Sequence, residues 1–263
     1  MSLSRIVINV VMCGGFLFAG VQQGSAQTQM AVPVTVPIVF THAIDASKAH
    51  IGDTVTAKTM QVVFLPGNGR IPKGTTIQGS IAETRSFSFD PAPYAIQKPS
   101  VLSIRFDKLL TKGAPMEVLT SVRALAGWSD SLDAMKPQFS DEYDDVGTLY
   151  LIGGGSYRHY EKDVTSQDGD ILGYSRKEGV FARLLQSEYT SRYSHFECED
   201  SGDAEQSVAI FSPSACGLYG LGDVYIADNG LATGLGAFRL ESRRHTVKLY
   251  RESTALLQIV SVH

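Results

Sequence analysis

From residue 36 to 126, apolar and polar positions alternate in short runs separated by turn-forming residues. The runs fall at 36–43, 54–64, 75–83, 101–110 and 117–126. Period-two alternation bounded by Gly, Pro, Asn and Asp is the pattern of half-buried strands. The intervening segments carry the matching turn chemistry: Pro66-Gly67-Asn68-Gly69, Lys112-Gly113-Ala114-Pro115 and a short connection over 45–53. Five strands at this spacing predict a barrel or sandwich over 27–127. Residues 28–39 alternate Val and Pro with polar residues. That reads as an extended arm or edge strand, because proline cannot donate to a ladder interior.

The pattern changes at 128–145. Ser129, Asp130, Asp133, Asp141, Glu142, Asp144 and Asp145 surround Trp128, Met135 and Phe139, which predicts an acidic loop or linker. A β-rich region is expected over 146–263. It opens with an apolar run at 147–152 and the glycines Gly153, Gly154 and Gly155. A hairpin follows over 171–175 and 180–185 around Lys177-Glu178-Gly179, and terminal runs lie at 237–240, 246–250 and 255–262. Amphipathic helices are scarce. Residues 204–211 and 253–260 are the best short candidates, and both read equally well as strands.

The N-terminus carries Arg5, an apolar run over 6–21 and the small residues Gly24-Ser25-Ala26. This is the layout of a signal peptide over 1–26, with cleavage before Gln27. The apolar run is short of the roughly 20 residues of a bilayer-spanning helix, and nothing downstream is apolar for longer. The expectation is an exported protein, periplasmic or extracellular, with no transmembrane segment after leader cleavage. Cys13 leaves with the leader, so Cys198 and Cys216 remain. In an oxidising compartment they are expected to pair. Closing a loop of about 19 residues stabilises a fold by roughly 3 kcal/mol in the chain-entropy model. No CxxC spacing and no Cys–His cluster supports a redox or metal pair.

Composition adds limits. Hydrophobic content of 43% with 19% charged residues is that of a folded globular chain. The formal net charge of −4 gives no reason to expect nucleic acid. Arg239, Arg243, Arg244 and Lys248 are its main basic group, and they read as the solvent face of a strand.

Candidate chemistry is sparse. Gly153-Gly154-Gly155-Ser156 lacks the lysine and hydroxyl of a P-loop and reads as a flexible turn. Asp163 and Asp168-Gly169-Asp170 lack the alternate ligands and closing glutamate of a calcium loop and read as a hairpin turn. The acidic residues at 141–145, with Glu197, Glu199, Asp200, Asp203 and Glu205, read as solvated loop faces. Ser156, Ser212 and Ser214 lie in no GxSxG elbow, and the six histidines form no HExxH pair. The most reactive-looking locale is a surface cluster of Tyr157, His159 and Tyr160, where Glu161 or Asp163 is placed to orient a histidine base. A tyrosine-rich surface loop is its inert equivalent. No cofactor or metal is expected.

Two resemblances bear on the chain. Gly52-Asp53-Thr54-Val55-Thr56-Ala57, Val62-Val63, Ile71-Pro72-Lys73-Gly74-Thr75-Thr76-Ile77-Gln78-Gly79-Ser80-Ile81 and Leu102-Ser103-Ile104-Arg105-Phe106-Asp107 resemble the β-barrel core of TrbI/VirB10-like conjugation channel proteins. Within these segments Gly74 is expected to turn the chain and Gly79 to allow a close backbone approach at a bend. The resemblance covers about 50–126 and implies a barrel. The transmembrane anchor, proline-rich stretch and helical pore insertion of that family have no counterpart here. The whole chain, including Gly169-Asp170-Ile171-Leu172-Gly173-Tyr174, Gly179-Val180-Phe181-Ala182-Arg183-Leu184 and Ser214-Ala215-Cys216-Gly217-Leu218-Tyr219-Gly220, is similar to secreted acidobacterial proteins. That likeness implies an envelope protein and no particular activity.

The expectation is therefore a mainly β protein: a barrel or sandwich in the first half and a disulfide-stapled β-rich second half. Its expected role is non-catalytic, with envelope proteins or surface polymers as partners. The competing expectations are a secreted hydrolase acting on envelope polysaccharide and a calcium-stabilised adhesion module.

Overall fold

The computed structural model describes residues 28–89, 97–139, 147–158, 160–166, 168–188, 196–232 and 234–262. The leader expected over 1–26, His159, and Asp141, Glu142, Asp144 and Asp145 lie outside the described residues.

The chain is mainly β. It runs through β1 (Thr28–Phe40), β2 (Ile44–Asp45), β3 (Thr54–Thr59), β4 (Val63–Leu65), β5 (Gly69–Ile71), β6 (Thr76–Arg85), β7 (Ser100–Leu110) and β8 (Met116–Ala126) to a short helix, α1 (Trp128–Ala134). Six short strands follow: β9 (Thr148–Tyr150), β10 (Ser156–Arg158), β11 (Asp163–Thr165), β12 (Ile171–Arg176), β13 (Gly179–Arg183) and β14 (Ser187–Glu188). The remainder comprises β15 (Glu197–Cys198), β16 (Glu205–Ser207), β17 (Gly217–Tyr219), β18 (Val224–Asp228), β19 (Ala237–Ser242), β20 (Lys248–Leu249) and β21 (Thr254–Val262).

Strands β8, β21, β1, β3, β6 and β7 pair in that order, all antiparallel, and β7 pairs back onto β8. The six strands close into a barrel. Closure rests on the β7–β8 hairpin, where Lys108 faces Glu117 and Leu109 faces Met116. Beyond it the two strands diverge and each takes a new neighbour. β7 pairs with β19 over its first half, and β8 pairs in parallel with β17 at its end. The barrel thus draws on both sides of the 128–145 stretch, since β21 lies between β8 and β1.

The interior is a packed core in which Val36, Ile38, Phe40, Val55, Ala57, Ile77, Ile81, Ile104, Phe106, Val122, Leu257 and Ile259 are buried together. Phe106 stands between Phe40 and Phe238, with ring centroids 5.9 and 6.5 Å away. Bulges bend the strands enough to close so few of them. At the bulge between Gln78 and Gly79, a Cβ on Gly79 would lie 2.0 Å from the Arg105 carbonyl oxygen. The close approach expected at Gly79 is real, and so is the turn at Gly74, where φ is 82°.

β1 is an internal strand over Ile38–Phe40, not an edge, with β21 on one side and β3 on the other. Its prolines fit for local reasons. Pro33 falls in the register shift between Gln29 and Val34. Pro37 directs its carbonyl at the Met60 amide, 2.8 Å, just past the end of the β3 pairing, so no donor is required of its nitrogen. Of residues 253–260, ambiguous in sequence, all but Ser253 are strand in β21. Its first four residues, 254–257, are buried on both faces because the second half packs over the barrel there. Residues 204–211 hold β16 and turns.

A second antiparallel sheet, in the order β16-β13-β12-β11-β10-β9, lies against the outside of the barrel. Three long polar side chains join the second half of the chain to the first. Gln206 accepts the Thr35 amide at 2.9 Å, replacing a ladder partner that β3 does not reach. Gln61, 3% exposed, donates to the Val180 carbonyl and accepts the amides of Val180 and Ala209 at 2.8, 2.9 and 3.1 Å. Arg123, 1% exposed, reaches the carbonyls of Ala215, Glu199, Leu185 and Pro213 at 3.1, 2.5, 2.6 and 3.4 Å. Cys198 and Cys216 are bonded, with Cα atoms 6.0 Å apart. The bridge ties the β14–β15 hairpin to the segment that enters β17. Among the described residues no helix is long and apolar enough to cross a membrane.

Candidate functional site

The locale singled out in the sequence forms a hairpin turn between β10 and β11. Its members part because Tyr157 lies in β10 and Tyr160 and Glu161 in the turn that follows. Tyr157 is half-buried against Leu151, Val164, Val180, Ala182, Leu184 and Val208, and burial raises its phenol pKa. Tyr160 and Glu161 are exposed beside Arg158, whose Nη1 donates to the Tyr160 hydroxyl at 3.1 Å and lies 3.6 Å from Glu161 Oε1. Asp163 sits opposite Tyr174 in the next ladder. The structure therefore brings Tyr160 and Glu161 together on the turn and sends Tyr157 inward.

Other sequence candidates are engaged in local structure. Gly153, Gly154 and Gly155 all have positive φ (92°, 101° and 81°) and form a turn closed by Leu151 N to Gly155 O at 3.0 Å. Ser212 and Ser214 hydroxyls meet at 3.0 Å, and Ser214 donates to Gly153 O. Asp168 and Asp170 shape the β11–β12 hairpin by donating their amides to Ser166 Oγ. Asp203 and Glu205 pair with Arg183 and Arg176 at 3.3 and 2.7 Å. Among the described residues no three His, Cys, Asp or Glu side chains are grouped to hold a metal ion.

Two clefts remain. A polar one of about 400 Å³ is lined by His42, Asp45, Lys48 and Asp53 with flanking apolar residues. Its carboxylates are turn elements. Asp45 Oδ1 accepts the amide and hydroxyl of Ser47 at 2.9 and 2.6 Å, and Oδ2 lies 3.1 Å from Lys248 Nζ. Burial works to raise the Asp45 pKa, but the Ser47 hydrogen bonds and the Lys248 ammonium outweigh it and bring it to about 2. Asp53 accepts the His50 amide at 2.8 Å. The Asp45 carboxyl is thus held ionised, the opposite of what a general acid requires.

The second cleft, about 410 Å³, is lined by Val39, Lys58, Thr59, Met60, Lys73, Gly74, Leu132, Met135 and Glu252. One wall is the end of β3 and the turn that follows β5. Thr59 Oγ1 donates to Pro72 O at 2.7 Å and accepts the Thr75 amide at 3.0 Å, while Gly74 N donates to Thr59 O at 2.8 Å. These bonds fix the turn that carries Lys73. The opposite wall is α1. Ser131 anchors the helix through its hydroxyl, 2.8 Å from both Gly127 O and Thr254 Oγ1, and Ala134 packs on Ala124, Ala126 and Leu256.

With Ser131 and Ala134 inward, Trp128, Leu132 and Met135 fall at i, i+4 and i+7 and share the outward face. They are 45%, 36% and 40% exposed. An apolar helix stripe thus faces solvent beside an apolar cleft. Sequence reasoning placed these residues in an acidic loop and did not read their spacing.

Charge at the rim is asymmetric. Glu252 lies 3.8 Å from Arg251, whereas Lys58 and Lys73 are exposed and have no carboxylate partner within 4.0 Å among the described residues. The cleft can take an apolar body and set two ammonium groups at its edge. It offers no nucleophile and base in contact. No protein-family model, curated protein or solved structure matches the chain.

Proposed function

We propose that the chain is an exported, non-catalytic binding protein of the cell envelope whose ligand-contacting surface is the cleft between β3 and α1. The observation that carries this is the exposed stripe of Trp128, Leu132 and Met135, which continues the lining formed by Val39 and Met60. Large apolar side chains held outward on a fixed frame mark interaction sites. The disulfide and the leader expected over 1–26 support export. The resemblance to TrbI/VirB10-like barrel components concerns the segment that supplies β3, β6, β7 and β8. It supports an envelope setting rather than conduction, because the barrel interior is filled with side chains.

The hydrolase and adhesion readings receive less support. The carboxylates of the polar cleft shape turns, and in the second half Asp203 and Glu205 pair with Arg183 and Arg176. An uncharged fluorescent probe such as N-phenyl-1-naphthylamine tests the reading. It should bind the oxidised protein saturably and lose that binding in Leu132→Glu, with the melting temperature unchanged because Leu132 is exposed. Equal binding to both proteins, or none to either, would remove the cleft as the site.

A further inference from the structure

The cleft also constrains what its ligand can be. Its polar groups are nearly all satisfied within the protein. Thr59 donates its amide to Thr75 O at 2.9 Å, its carbonyl accepts from Gly74, and its hydroxyl both donates and accepts. The amides of Met60 and Glu252 donate to Pro37 O and Phe40 O at 2.8 and 3.1 Å. A peptide or sugar laid here would bury donors and acceptors without partners, which disfavours it. An alkyl chain has no such groups to satisfy.

At the rim, Lys58 and Lys73 lie on two segments that the Thr59 bonds hold together, and among the described residues Glu252 is the only acidic one lining the cleft. A cleft of about 410 Å³ is near the small end of ligand sites, which run from about 300 to 1,000 Å³. That suits one linear chain better than a two-chain lipid.

We propose that the cleft binds a free single-chain anionic amphiphile, a fatty-acid-type carboxylate, with its head between Lys58 and Lys73 and its tail along Val39, Met60, Leu132 and Met135. This rests on the cleft being the binding site. The occupant follows from charge complementarity at one edge and the lack of free hydrogen-bonding groups elsewhere. Trp128, the only tryptophan of the chain, lies one helical turn from Leu132 on the same stripe and reports occupancy.

Dodecanoate and dodecanol, each below its aggregation concentration, are titrated against the oxidised protein. Trp128 emission and calorimetry are read in parallel. Dodecanoate should bind saturably and tighter than dodecanol, and its affinity should fall with added salt. Lys58→Gln with Lys73→Gln should weaken dodecanoate about fivefold or more, the effect of about 1 kcal/mol from two exposed ion pairs, and leave dodecanol unchanged. If both ligands bind equally and the lysine changes affect neither, the anionic head is wrong while the cleft remains the site. If neither binds, both readings fall. Binding to anionic phospholipid vesicles without binding to monomeric dodecanoate would overturn the proposal in favour of a membrane surface.

Discussion

Arg123 Nη2 donates to the main-chain carbonyl of Leu185 at 2.6 Å, joining a barrel strand to a segment 62 residues away. The side chain reaches it because of a bulge. Leu256 and Leu257 of β21 face Ala124 and Val122 of β8, so Arg123 has no partner in the ladder. A bulged residue is re-aimed, and this one points out of the barrel into carbonyls at 185, 199, 213 and 215. Burial lowers its pKa to about 10, which keeps it charged at neutral pH. Four carbonyl oxygens meet that charge directly, and the Asp200 carboxylate favours it from farther away.

Arg123→Met should therefore destabilise the fold by about 3–5 kcal/mol. It leaves buried carbonyls without donors where the native pairing is intact. Urea denaturation measures the loss. A change below about 1 kcal/mol would mean that the carbonyl cage contributes little to joining the second half to the barrel.

The Cys198–Cys216 bridge closes beside the same residue, with Cys198 Sγ 3.6 Å from the Arg123 carbonyl oxygen. Replacing both cysteines by serine should cost roughly 2–5 kcal/mol. Thiol labelling of the native protein should find neither sulfur free. Full labelling without denaturant would contradict the bridge.

Two glycines should respond in opposite proportion to their φ angles. Gly74 has φ 82° but open space where a Cβ would stand, so Gly74→Ala should cost about 1 kcal/mol from backbone strain alone. Gly79 has no positive φ, yet its Cβ would meet the Arg105 carbonyl at 2.0 Å. Gly79→Ala should cost several-fold more, because the β6–β7 ladder must move. Equal melting temperatures for the two variants would refute the close approach.

Asp45 makes acid sensitivity predictable. Its pKa is lowered on folding to about 2, so its contribution is complete above the unfolded value of about 3.9 and disappears as pH falls towards 2. Asp45→Asn should be less stable than the parent at pH 6, and the difference should shrink between pH 4 and pH 2. A difference that stays constant over that range would exclude the Ser47 and Lys248 contacts as its source.

The barrel strands were legible because turn residues punctuate them: 75–83 and 101–110 anticipate β6 and β7 within two residues at each end. What could not be read was anything set by pairing partners. β21 looks helical or strand-like alike, since over 254–257 both faces are covered and the alternation of polar positions is lost. Nothing local to Arg123 indicates a bulge, because the extra residue exists only relative to β21. Gln61 and Gln206 are ordinary surface residue types until a missing ladder neighbour gives them a buried role.

The site was less legible than the fold. Tyr157 and Tyr160 are close in sequence, but Tyr157 packs from β10 onto a buried cluster whose other members are distant in the chain, while Tyr160 stays on the turn. Trp128, Leu132 and Met135 sit among acidic residues, and a helix of fewer than two turns gives too short a period to register.

Methionine methyl resonances test the central claim most directly. Met60 and Met135 line the cleft, whereas Met116 packs against the barrel core. With methyl-labelled methionine in the oxidised protein, titration with dodecanol should shift the Met60 and Met135 signals along one saturable curve and leave Met116 in place. Signals that stay still, or that all move alike without saturation, would contradict a binding site between β3 and α1.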